Sequence, residues 1–177
     1  MSYTNERILL SSEREGRTSR FRAWVMVGVP LAAILFQVYV PMFFDFLGFL
    51  ELPLLVVVYF ALMRRDQVGG LLIGAVVGLA QDSLSKNPLG MFGIVKTLVG
   101  YFASSIGVRL DVDNPALRFI LTFFFYLFHQ FFYWVLARAL LAQQLAFEPQ
   151  KTLMLGLLNA LVGVSLFYFL DKMREKS

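Results

Sequence analysis

Four side chains in this sequence could do chemistry inside a strongly apolar chain: Asp82, Lys96, His129 and Arg138. Asp82 ends the stretch GLLIGAVVGLAQD, in which Gly70, Gly74 and Gly78 recur every fourth residue. The next step of four lands on that acid. A charge in hydrocarbon costs at least about 2.5 kcal/mol, so such an acid needs a partner. Lys96 is one candidate, because its long stem can snorkel toward Asp82. Arg138 is the second. The reading leaves two roles open: an internal ion pair that fixes the fold, or a polar pocket that meets a ligand or partner. His129 lies in FFFYLFHQFFYW, four residues before Tyr133, and reads as a hydrogen-bonded packing residue or a proton carrier.

These residues make poor catalysts. Acid–base and nucleophilic chemistry need paired acids, histidine clusters or an activated nucleophile. Here one Asp and the only His fall in different apolar runs, and no such motif appears. With no Cys and a single His, neither a metal site nor a disulfide is expected. No Walker-type phosphate loop is present, and no cofactor is expected. Only a short Arg-rich tail could meet nucleic acid, so no nucleic-acid partner is expected.

The elements that must hold these groups are membrane spans. The 177 residues are 58% hydrophobic and 16% charged, with 19 Phe. A soluble domain usually carries about 25% charged residues. Runs of about 20 apolar residues cross a bilayer core of about 30 Å. Six candidates are predicted: Ala23–Phe44, Leu52–Met63, Val68–Leu84, Pro88–Gly107, Ala116–Ala142 and Thr152–Leu170. The second reaches only about 18 Å at a helical rise. It is expected to be short or broken at Glu51–Pro53 and to line a cavity rather than face lipid. A tail over 1–21, a six-helix domain over 22–171 and a second tail over 172–177 follow.

Six spans with both ends inside sort the 16 Lys and Arg strongly. Arg7, Arg14, Arg17, Arg20, Arg22, Arg64, Arg65, Arg109, Arg118, Lys172, Arg174 and Lys176 fall inside. Lys86, Arg138 and Lys151 fall outside, and Lys96 within a span. That positive-inside bias places both termini in the cytoplasm. The first span is too long for a cleavable signal peptide and no small-residue cleavage site follows it. The basic N-terminal tail sets topology or lies on anionic membrane lipid.

Glycines at a spacing of four share one helix face and permit close backbone approach, which drives helix association in lipid. The following span offers a matching face of small residues, Gly93, Thr97, Gly100, Ser104 and Gly107. The third and fourth spans are therefore expected to pack closely within the chain. A homodimer face is the other use of such a stripe.

ELPLLVVVYFAL, followed by GGLLIGAVVGLAQDSLSKNPLGMFGIVKTLVGY, resembles the MreD family of bacterial rod-shape-determining membrane proteins. The residues that carry the resemblance are Glu51-Leu52-Pro53, Gly70 to Gly78, Gln81-Asp82, Pro88-Leu89-Gly90 and Val99-Gly100-Tyr101. It implies an all-α integral membrane fold of six helices, like the S components of energy-coupling-factor transporters. It further implies a scaffold of the elongation machinery in the cytoplasmic (inner) membrane. Its implied partners are MreC, a single-span protein, and indirectly MreB filaments, RodA and RodA's transpeptidase partner. A partner surface is then expected at the Pro88, Leu89 and Gly90 turn. Lys96 departs from the family, where a neutral residue is expected. The rival reading is a vitamin-binding S component, for which the first span offers only Gly28 and Ala32 as a docking motif.

Overall fold

A computed structural model describes residues 21–85, 88–143 and 146–174. The tail expected over 1–21 therefore lies outside the described residues except for Phe21, as do Lys86, Asn87 and the last three residues. The described chain forms six α-helices: α1 (Ala23–Tyr39), α2 (Leu52–Arg64), α3 (Gln67–Leu84), α4 (Met91–Gly107), α5 (Pro115–Leu141) and α6 (Pro149–Asp171). Five spans, Ala23–Met42, Asp45–Arg64, α3, α5 and α6, are long and apolar enough to cross a membrane. α4 has 17 residues, about 26 Å at a helical rise.

Helix ends fall where the local chemistry sets them. α1 stops before the expected Phe44 because Pro41 has no N–H for a helical bond, and the chain tightens into a 3-10 turn over Val40–Met42. The Asp66 carboxylate caps α3, accepting N–H bonds from Val68 and Gly69. Asn114 caps α5 through the N–H of Ala116, with Pro115 in the first turn. Gly90 has φ +96, a left-handed conformation that suits glycine, so α4 begins at Met91 rather than at Pro88.

The second span is broken, as its composition suggests. A 3-10 stretch, Asp45–Phe49, precedes α2. The exposed backbone at the break is satisfied by side chains from other helices. Asn159 of α6 accepts the Glu51 N–H at 2.8 Å and donates to the Phe49 carbonyl at 2.9 Å. Gln37 of α1 accepts the Leu52 N–H. Non-helical backbone at membrane depth is tolerated only with such internal partners.

α2 is the hub. Every residue from Leu54 to Met63 is at most 2% exposed, and all five other helices pack against it. The outer surface of the bundle is apolar as well, with Leu72, Val76, Phe102, Phe124, Phe131, Leu161 and Tyr168 all exposed. Asp82, Lys96, Arg118, His129 and Asn159 are buried. An apolar outer surface, with these charged and polar groups held inside, suits lipid as the surrounding solvent. Phe21 and Arg174 form an isolated antiparallel bridge, so the two ends of the described chain meet at one end of the bundle.

Candidate functional site

The pairing of α3 and α4 positions the polar groups, and it is the most extensive helix–helix interface in the chain. A Cβ on Gly70 would collide with the carbonyl oxygen of Gly100 and the hydroxyl of Ser104. On Gly74 it would strike the Lys96 carbonyl, and on Gly78 the Phe92 carbonyl. On Gly100 it would strike the Gly70 carbonyl, and on Gly93 the Leu79 side chain. The stripe is thus buried against α4, and a homodimer would have to use another face.

That close approach carries Asp82 to the start of α4. One carboxylate oxygen accepts the N–H groups of Gly90 and Gly93 at 2.9 and 3.0 Å. The other accepts the Phe92 N–H at 3.2 Å. The first turn of a helix presents N–H groups that have no intrahelical acceptor, and its dipole favours an anion there. Asp82 is only 2% exposed. The expected ion pair of Asp82 with Lys96 or Arg138 is therefore corrected: the acid is a helix cap supplied by the neighbouring helix. Arg138 is exposed on α5, with its guanidinium 5.6 Å from the Trp134 ring.

Lys96 has other company. Its ammonium lies 3.8 Å from a Glu51 carboxylate oxygen, 3.2 Å from His129 Nε2 and 4.2 Å from the centre of the Phe92 ring. Phe92 also stacks on the rings of His129 and Tyr133, with centroids 5.7 and 5.1 Å away. Lys96 is fully buried and His129 is 1% exposed. The cluster joins the break before α2 to α4 and α5. Glu51 was legible only as the acid that interrupts the second span. Asn159 went unread, although it is a lone polar residue in the apolar run LMLGLLNALVGV.

A second polar cluster lies at the end of the bundle where the two ends of the described chain meet. Arg118 pairs with Asp171 at 2.5 Å and donates to the Val112 carbonyl at 2.6 Å, while Asp113 lies at 3.4 Å. The Tyr59 hydroxyl donates to the other Asp171 oxygen at 2.9 Å. Arg174 reaches Asp113 at 3.3 Å. In the sequence Arg118 counted only as a topology-setting charge. Its buried role depends on α6 bringing Asp171 beside it.

The Pro88–Gly90 turn stands at the opposite end. Pro88 is exposed and Leu89 is 76% exposed, while the Gly90 N–H is taken by Asp82. Between α5 and α6, on the helix face of Tyr126, Gln130 and Tyr133, lies an open cavity of about 280 Å³ that Lys151 and Thr152 also line. Among the described residues no group of three or more His, Asp or Glu is placed to hold a metal ion.

No curated protein and no solved structure matches the chain, so a likeness to the S-component fold rests on sequence resemblance alone. A family model described as rod shape-determining protein MreD matches residues 18–174, and the chain belongs to the MreD family of membrane proteins.

Proposed function

We propose that this chain is a non-enzymatic scaffold of the cell-elongation machinery in the bacterial inner membrane. In this reading it binds an MreC-type single-span protein and helps couple MreB filaments to peptidoglycan synthesis. The family match over residues 18–174 carries the reading. The architecture agrees with it: the buried polar groups described above serve largely as helix caps and ion pairs between helices. The excess of Lys and Arg on the side of the termini supports a cytoplasmic location for that side. The opposite end then faces the periplasm and offers the Pro88–Gly90 turn, with Leu89 exposed, to the partner.

Affinity purification of the tagged chain from its native membrane tests this. A single-span protein with a periplasmic domain should co-purify, and Leu89→Arg should reduce its recovery without lowering the melting temperature of the purified chain. Depletion should turn rods into spheres. Unchanged cell shape on depletion, or a bound vitamin in place of a protein partner, would refute the scaffold reading.

A further inference from the structure

The chain's only histidine leaves a buried donor for which the described residues supply no acceptor. Lys96 Nζ lies 3.2 Å from His129 Nε2. An ammonium has three donors and no lone pair, so Nε2 must accept. The one proton of the neutral ring is then on Nδ1. That atom is fully buried and has no hydrogen-bond partner among the described residues.

The neighbouring groups do not fill the gap. Phe92, stacked on the imidazole at an interplanar angle of 12°, offers no oxygen. Both Asp82 oxygens are engaged by the backbone of α4. Glu51 faces the same ammonium at 3.8 Å, and its Oε2 likewise lacks a hydrogen bond. A buried donor without a partner is costly, and ordered water is the usual remedy at polar internal sites.

We propose that the Glu51–Lys96–His129 cluster is an internal binding site for water, in which the Nδ1–H of His129 donates to a bound water oxygen. The Lys96 charge inside the bundle is then held by a hydrated polar centre rather than a dry ion pair.

Because His129 is the only histidine, nitrogen-15 labelling of histidine in the full chain, held in lipid nanodiscs, gives one imidazole to read. At neutral pH the proton should reside on Nδ1 and show magnetisation transfer from water. In Lys96→Met, which removes the donor to Nε2, the proton should move to Nε2. Three wild-type results would overturn the proposal: a proton on Nε2, protons on both nitrogens, or an Nδ1–H that shows no transfer from water. Should Lys96→Met fail to fold, the wild-type spectrum alone decides.

Discussion

The carboxylate of Asp82 on α3 accepts the backbone N–H of Gly93 on α4 at 3.0 Å, across a helix pair that glycines bring into backbone contact. One helix thus supplies the cap of the next, and Asp82 binds backbone rather than a basic side chain. Asp82→Asn keeps one acceptor oxygen, removes the other and loses the charge that suits a helix N-terminus. The expected loss is about 1–3 kcal/mol, read as a lower melting temperature in detergent. Lys96→Met should not restore it. In double-mutant cycles the Glu51–Lys96 coupling should exceed the Asp82–Lys96 coupling. The reverse order would mean that the lysine answers to Asp82 after all.

Gly74 and Gly28 make a matched pair of tests. A methyl group on Gly74 meets the Lys96 carbonyl, whereas one on Gly28 meets nothing within 4 Å. Gly74→Ala should force α3 and α4 apart, at about 1–3 kcal/mol for overpacking. Gly28→Ala should leave the melting temperature nearly unchanged or raise it slightly, because alanine is the better helix former. Equal effects at the two sites would show that α3 and α4 are not in backbone contact.

The six helices and the glycine contact were legible because both are local patterns, one of hydrophobic run length and one of spacing. The role of Asp82 was not, because its partners are backbone groups that a turn at Gly90 presents. Type and spacing say nothing of which N–H groups lie open. The Glu51–Lys96 pair was hidden for another reason. Glu51 sits at a break whose position in space depends on Asn159 and Gln37, two side chains on other helices. Arg118 has the same history: in sequence a flanking charge, in space a fork bound to a loop carbonyl and to the last residue of α6.

The absence of cysteine makes the proposed topology directly testable. Single cysteines at Ser2 and at Ser177 should resist a membrane-impermeant thiol reagent in intact spheroplasts and react after permeabilisation. A cysteine at Pro88, in the exposed turn at the far end of the bundle, should react in intact spheroplasts. Labelling of either terminal cysteine in intact spheroplasts would reverse or break the six-span orientation.

Arg118 offers the sharpest test of the cluster that ties the two ends of the described chain together. Its Nε donates to the Val112 carbonyl while its two terminal nitrogens reach Asp171 and Asp113. A guanidinium serves three directions at once through a rigid planar fork, and an ammonium on a flexible stem does not. Among the described residues, Arg118→Met removes the charge and leaves Asp171 with the Tyr59 hydroxyl. Breaking a buried pair costs about 3–5 kcal/mol, but the Asp171 side chain is 29% exposed and water softens the loss, so about 2–3 kcal/mol is expected. Arg118→Lys should recover less than half of that. Asp113→Asn should cost much less, since that side chain is 46% exposed. The measurement is thermal melting of the purified variants at fixed detergent and salt. If Arg118→Lys melts with the wild type, the charge alone matters, and the fork geometry that joins Val112 to Asp171 contributes nothing to stability.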